Sequence, residues 1–563
     1  VPRLAFCLVA TAALAGDAGS AQRSGQPFSV VEAGIPALRD AMASGRTTSR
    51  AITEQYLARI ARYDATLKAT LAINPTALAD ADARDADRRQ GRVRGPLHGV
   101  PVALKDNIHA FGMPTTGGAL AFATLRVPYE ATLARHLRDA GAVIIAKTTM
   151  TELANWVSSG MPSGYNAIAG FSLNPYDPRR GPDGRPTLTP GGSSSGIGTA
   201  ASFWAASVGT ETSGSILNPS DETMLVGIKP TVGRLSRHGV IPITADQDTP
   251  GPMARTVTDA AIMLGALEGA APDANDPATR ACTPPPRRDY TVFLIRDALR
   301  GTRIGVPRAF FAPAASRRGE KPAVRIGRSI TLNQTDERLM TDALSALKSA
   351  GATVVEAIDL PSLSSGDPAR NILEFPICSG TAAASSRNCS SVLRYGMKRD
   401  FNRWLTSLGN AAPVRSLSDL RAWNREHERE GALRFGQDQL DVSDAVDLEA
   451  DRARYQADRA RDIQLSKHEG IDAAIRAHRL DALLFPGALG SSIAARAGYP
   501  SVIVPFGAVT KAENNTQATV QPFGVTFTGV ACTEPRLLAL AYAFEQSTRR
   551  RVPPRIEDRG DRR

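Results

Sequence analysis

Lys105 closes an apolar run, Val100-Pro101-Val102-Ala103-Leu104, and stands directly before Asp106-Asn107. An ammonium group emerging from buried sequence loses solvation, which lowers its pKa toward the range of a general base. The competing reading is a lysine whose stem packs while its head reaches water or Asp106, and a lone lysine favours that one. Serine nucleophiles need such a base, and serines gather in two clusters between Pro190 and Pro219. Gly191-Gly192-Ser193-Ser194-Ser195-Gly196 opens the stretch and Thr212-Ser213-Gly214-Ser215 closes it. Glycines beside serines let backbone N–H groups and hydroxyls face one point. The same residue types fill ordinary loops, so the stretch taken without the lysine reads as a linker.

Other constellations are weaker. Gly192–Gly196 satisfies G-x-S-x-G with Ser194 as nucleophile, the elbow of an esterase-type hydrolase, but that elbow follows a strand. Here Thr187-Leu188-Thr189-Pro190-Gly191 precedes it, and a terminal proline makes a poor strand. Ser345-Ala346-Leu347-Lys348 matches S-x-x-K without its companion motifs and reads as helix surface. His98, His109, His136, His238, His427, His468 and His478 show no metal spacing, and the glycine cluster lacks the G-K-[ST] ending of a phosphate loop. Neither a metal nor a cofactor is expected.

The elements that must position these residues alternate. A helix is expected from Ser49, with Ile52, Tyr56, Leu57 and Ile60 on one face, and a second helix ends near Arg94. Strand Val100–Leu104, helix Glu130–Ala140 and strand Ala142–Ala146 follow, an order that points to an α/β fold. The Ala/Phe/Trp/Val run between the serine clusters reads as a buried helix. Leu225–Pro230, Arg303–Val306, Ala352–Val355, Asp481–Phe485 and Ser501–Val504 are candidate strands, and Thr256–Glu268 a helix. A charged, helical stretch runs from about Leu417 to Arg479. No tract reads as a linker, so one large domain with a helical insertion is expected.

Composition is that of a globular protein, with 42% hydrophobic and 22% charged residues. The net charge of +11 comes from dispersed arginine; no basic stripe with interleaved aromatics argues for nucleic acid. Residues 1–21 have the layout of an export signal: Arg3, the short apolar run Leu4–Ala15, then Gly19-Ser20-Ala21. That run is too short to span a membrane. Export places the chain in an oxidising compartment, where Cys378 and Cys389 could pair; free buried thiols are the equal alternative. No C-x-x-C occurs.

Several pieces together resemble the amidase signature family. They are Gly99–Asn107, Ala146–Asn155, Gly191–Gly196, Gly209–Ile216, Leu225–Gly233, Asp248–Thr256, Ala497–Ser501 and Glu534–Leu538. The resemblance covers residues 30–553, with the exported, peptide-amidase-like members nearest. It implies an α/β/α sandwich around a mixed sheet, with a helical insertion at about 360–479 and a disordered basic tail at 554–563. It also implies a cofactor-independent amidase, secreted or periplasmic, monomeric or homodimeric. Carried over by position, Ser215 matches the nucleophile, Ser193 the bridging serine in a cis peptide, and Lys105 the base. Backbone N–H groups of Thr212, Ser213, Gly214 and Ser215 match the oxyanion hole. The implied substrate is a peptide amide, an aryl acylamide or another small amide. A member working within an amidotransferase would instead need glutamine-handling partners and no export signal.

The chain departs from that pattern in two places, of which the first matters more. Ser193 and Ser215 are 22 positions apart, about two fewer than the family's spacing. The expectation is that Thr199–Ser202 forms a shortened turn and that Phe203, Trp204 and Val208 pack as the buried face. The alternative is a rotated helix, hence a family member that binds amides without turning them over. Asp221-Glu222-Thr223 is also more acidic than the small residues usual there.

Overall fold

The computed structural model describes residues 28–192, 195–311, 334–380, 386–513 and 516–556. The export-signal segment, Ser193 with its expected cis peptide, Ser194 and most of the basic tail lie outside the described residues.

Strands β1 (Thr70–Ile73), β2 (Pro101–Lys105), β3 (Val143–Thr148), β6 (Ala206–Glu211), β7 (Val226–Lys229), β8 (Thr249–Ala254), β9 (Arg303–Pro307), β10 (Thr353–Ile358), β11 (Ala482–Pro486), β12 (Ser501–Glu513) and β13 (Thr516–Thr528) form one sheet. A separate hairpin joins β4 (Tyr165–Asn166) to β5 (Gly170–Phe171). The order across the sheet is β1-β3-β2-β6-β8-β7-β12-β13-β11-β9-β10. Strands β3, β2 and β6 run parallel, as do β11, β9 and β10, and the pairings between these two groups are antiparallel. Every residue of β2, β3 and β6 is buried. Near-continuous apolar runs such as Val143-Ile144-Ile145-Ala146 are what a sheet covered on both faces requires.

Helices cover those faces. Thr48 caps Ser49–Leu67 by accepting from Ala51 N, and Ile52, Tyr56 and Ile60 are buried as the periodicity predicts. Thr256 does the same for Val257–Leu267 through Asp259 N. The segment before Ser49 carries a further helix, Ile35–Ala43. It begins with a proline in its first turn and buries Ile35, Leu38, Ala41 and Met42. Between β10 and β11 the chain is helical at Val392–Ser407, Leu417–Glu426, Asp438–Asp444, Arg452–Ile463 and Asp472–His478. These pack Phe401, Trp404 and Leu440 against Phe122, Trp156 and the β4–β5 hairpin.

Two disulfides close the structure. Cys378 and Cys389 are paired and not free thiols, and Cys282–Cys532 joins residues 250 positions apart. A buried network accompanies the second: Arg234 bonds Glu268, Glu534 and the Tyr290 hydroxyl.

The stretch between the serine clusters differs from its expectation. Only Ser195–Ala200 is helical, Ala201–Ala205 turns, and Ala206–Glu211 is a central strand. The helix reading failed because Phe203 and Trp204 gave an apolar signal that belongs to the turn. Both rings are fully buried, as is Val208, and Trp204 Nε1 donates to Thr199 Oγ1 at 2.8 Å. The turn therefore ends the helix and redirects the chain into the sheet, so no helix carries a rotation to Ser215.

Candidate active site

Two buried lysines stand at neighbouring strand ends and differ in their partners. Lys105 ends β2, pairing with Thr148 of β3, while Lys147 pairs with Leu104. Residues paired across strands share a face and successive residues alternate, so the two lysines point to opposite faces. Lys147 Nζ lies 3.1 Å from Asp106 Oδ1 and donates to Thr115 Oγ1 at 3.0 Å. It is a satisfied ammonium. Lys105, fully buried, donates to the carbonyl of Thr210 at 3.1 Å and to no other group among the described residues. Burial lowers its pKa from 10.5 to about 7, against the opposing charges of Asp248 and Glu211. An amine that donates one N–H to a neutral carbonyl keeps its lone pair free for a proton.

The strand that supplies this carbonyl also leads into the second serine cluster. Asn107 Nδ2 donates to Thr210 Oγ1 at 3.0 Å, and Ile241 N donates to Asn107 O at 2.8 Å. Glu211, 1% exposed, accepts from Ile216 N at 2.8 Å and Leu217 N at 3.0 Å through one oxygen. That carboxylate closes residues 212–215 into a short loop and satisfies the first N–H groups of the helix Leu217–Glu222. Thr212 Oγ1 donates to Asp248 Oδ1, and Gln247 Nε2 donates to the Thr212 carbonyl at 3.1 Å. Asp248 Oδ2 in turn accepts from Ile243 N and Thr244 N. Burial raises the Asp248 carboxyl to about 7, with these hydrogen bonds opposing.

The loop is therefore held from both sides while its own donors stay open. Among the described residues, no protein acceptor meets the N–H of Ser213, Gly214 or Ser215. Gly214 has φ +89°, and a Cβ there would meet Ser491 Oγ at 3.2 Å, so both the left-handed backbone and the close approach call for glycine. The first serine cluster approaches from the other direction. Gly191 (φ +80°) packs so closely on Pro219 that a Cβ would lie 2.5 Å from its Cα, and a Cβ on Gly192 would lie 3.3 Å from Ser215 Oγ. The segment leading into Ser193 thus passes beside the Ser215 hydroxyl, although Ser193 and Ser194 themselves lie outside the described residues.

Ser215 faces a cavity of about 650 Å³ that also touches Asn155, Trp156, Asn218, Asp221, Gln439 and Ser491. Leu153, Ala154 and Asn155 lead along its wall with three consecutive positive φ values, 41°, 56° and 69°. A left-handed turn of non-glycine residues costs about 1–2 kcal/mol per residue, and such strain concentrates at functional sites.

Thr212, Ser213, Gly214 and Ser215 share one cavity wall, and Lys105 bonds the strand that leads into them. The supporting side chains Asn107, Glu211 and Asp248 were within the recognised motifs and Gln247 stands next to one, but nothing in their spacing revealed their roles. Among the described residues no group of three or more His, Cys, Asp or Glu is placed to hold a metal ion.

The chain belongs to the amidase family, whose model matches residues 51–538. It is 32% identical over 558 residues to a probable amidase of Arabidopsis thaliana, covering 98% of this chain and 97% of that protein. A putative amidase of Arthroderma benhamiae is 33% identical over 525 residues, 90% of this chain and 82% of its own length. The native peptide amidase from Stenotrophomonas maltophilia superposes with a TM-score of 0.79 at 38% identity, over 94% of this chain and 100% of the other. The fold is the amidase signature fold, and family membership assigns the protein to amide hydrolysis.

Proposed function

We propose that the protein hydrolyses a carboxamide through an acyl-enzyme on Ser215. The observation that carries this is Lys105: fully buried, bonded among the described residues to a neutral carbonyl alone, and tied to the strand that delivers Ser215. Serine at its ordinary pKa is a weak nucleophile, so its proton must leave as it attacks. Ser215 Oγ bonds to the carbonyl carbon while its proton passes through Ser193 to the Lys105 amine. The developing oxyanion takes the open N–H donors around Thr212, Ser213, Gly214 and Ser215. The amine leaves with the proton returned by Lys105, and water releases the acid by the reverse route.

A peptide amide is the favoured substrate, because the similar Stenotrophomonas enzyme is a peptide amidase. Another solved structure, equally similar at 38% identity, is a peptide amidase in complex with the competitive inhibitor chymostatin. The two disulfides suit an exported protein, in keeping with the signal-like residues 1–21. The test is labelling with a fluorophosphonate followed by peptide mass spectrometry. Modification of Ser215, lost in Ser215→Ala and kept in Ser194→Ala, is expected; a label on Ser194 would overturn the assignment.

A further inference from the structure

We propose that the Cys378–Cys389 disulfide is a positioning element that sets substrate specificity. It fixes an apolar cavity wall, carried by Ile377 and Leu393, against which an aliphatic or aromatic acyl substituent of the substrate packs. This rests on the acyl-enzyme reading only for which part of the substrate lies in the cavity. A terminal carboxamide loses ammonia alone, so the bulk of the substrate that fills about 650 Å³ is its acyl part.

One side of the cavity is apolar. Trp156, Ile243 and Leu393 are buried in a single hydrophobic cluster, Ile377 is half-buried against it, and all four line the cavity. Trp156 is held in place by its Nε1, which donates to Ser443 Oγ at 3.0 Å. A single carboxylate couples this side to the loop before Ser215: Asp248 takes the Thr212 hydroxyl on Oδ1 and the Ile243 amide on Oδ2. An acyl group whose carbonyl oxygen takes the open donors of that loop has the apolar side within reach of its substituent, and covering such a surface favours an apolar one.

Two of these four side chains stand beside the crosslink. Ile377 directly precedes Cys378, and Leu393 lies in the first turn of the helix Val392–Ser407, just past Cys389. The two lengths of chain meet in a minimal bridge: Cys378 N donates to Ser390 O at 3.0 Å, and Ser390 N to Pro376 O at 2.8 Å. On the Leu393 side, Ser391 donates to Asp458 through N at 2.9 Å and through Oγ at 2.6 Å. The Ile377 side is thinly packed. Pro376 and Ser379 are exposed and Ile377 is half-buried, so between Phe375 and Gly380 only Cys378 is fully covered. The disulfide is therefore the buried tie between the two halves of the wall.

A crosslink limits the conformations a loop samples, and a wall ordered before the substrate arrives lowers the entropic cost of binding. Without the bond, Ile377 is left to a few backbone hydrogen bonds among exposed neighbours and moves independently of Leu393. A bulky substituent that needs both side chains at once then loses affinity, whereas a substrate without one loses little. The effect belongs in KM, since Lys105, Asp248 and the loop to Ser215 take their bonds from other parts of the chain.

The experiment compares N-acetyl-L-phenylalaninamide with N-acetylglycinamide, which lacks the side chain, in wild type and in Cys378→Ser/Cys389→Ser. In wild type, KM is expected to be lower for phenylalaninamide by about fivefold or more. The double variant should shrink that ratio by about threefold, through KM and not kcat. Cys282→Ser/Cys532→Ser removes a crosslink that lines no part of the cavity and should keep the wild-type ratio. Leu393→Ala leaves both disulfides in place and should lower the ratio as well, which tests the same wall should the double variant fail to fold. A wild-type ratio near one, a ratio indifferent to Cys378→Ser/Cys389→Ser or to Leu393→Ala, a loss confined to kcat, or an equal loss in Cys282→Ser/Cys532→Ser overturns the proposal. Calorimetric binding of the same two amides to Ser215→Ala, with and without the Cys378–Cys389 pair, separates this from the mechanism. The expected binding ratios without wild-type turnover sink the acyl-enzyme reading alone; binding that ignores the disulfide, or none, sinks the wall.

Discussion

Replacing Lys105 by methionine tests whether the base is a buried neutral amine. Its pKa lies at about 7 instead of 10.5 because burial penalises the ammonium. Between those two values the unfolded chain holds a proton that the folded chain releases. Lowering the pH through this window therefore favours unfolding, by about 1.4 kcal/mol per pH unit. Over the whole window the loss approaches about 5 kcal/mol, and below pH 7 it levels off because both states are protonated. Methionine has a similar stem and no charge, so Lys105→Met lacks this dependence. The difference in unfolding free energy between wild type and variant also cancels titrating groups that do not interact with Lys105. Urea titrations at pH 6, 7, 8, 9 and 10 read it directly. The same group sets the acid limb of catalysis: with a pKa of about 7, about a tenth of Lys105 is neutral at pH 6 and about nine tenths at pH 8. kcat/KM should therefore rise roughly tenfold across that interval, with almost no turnover in Lys105→Met. A stability difference that does not change with pH, or a variant with wild-type rates, would refute the reasoning.

Gly214→Ala should cost about 1–2 kcal/mol from the left-handed backbone at φ +89°; by shifting the open N–H donors it should also lower kcat tenfold or more with KM little changed. Asp248→Ala leaves the Thr212 hydroxyl and two backbone N–H groups without their acceptor, a loss of about 2–4 kcal/mol by thermal or urea unfolding. Arg234→Met strands the buried carboxylates of Glu268 and Glu534, for which about 3–5 kcal/mol is expected and equal stability would argue against a paired network. Removing Cys282–Cys532, 250 residues apart, should destabilise by about 5 kcal/mol, against about 3 for the 11-residue separation of Cys378–Cys389; the reverse ranking would contradict the chain-entropy account.

What the sequence revealed depended on whether an element carried its own signal. β2 was legible because an apolar run ends on a single charge, and β3 because it is an unbroken aliphatic run. β6 was not, since Ala-Ser-Val-Gly-Thr-Glu alternates poorly and follows an apolar turn that mimics a helix. β8 contains Pro250, Gly251 and Pro252, a composition that argues against a central strand. Its ladder to β6 is nevertheless continuous from Thr249 to Ala254, while β7 pairs with it only through Ala254 and Met253. At the site, Lys105 drew notice by closing an apolar run, whereas Ser215 was singled out among many serines only by the family resemblance. Glu211 and Asp248 did not stand out, because their work is to bond backbone groups that come near only when the chain has folded around them.

The middle of the sheet has a consequence for how the chain folds. β7 takes β12 as its neighbour, so Lys229 waits for Ser501, roughly 270 residues further along. Until that partner arrives, everything from β1 to β7 ends in an open edge, with unpaired N–H and C=O groups on Val226–Lys229. Loop closure on that scale is slow and leaves the half-built sheet sticky. Refolding from denaturant should therefore be slow and sensitive to protein concentration, and truncation before Ser501 should yield aggregates instead of a smaller stable half.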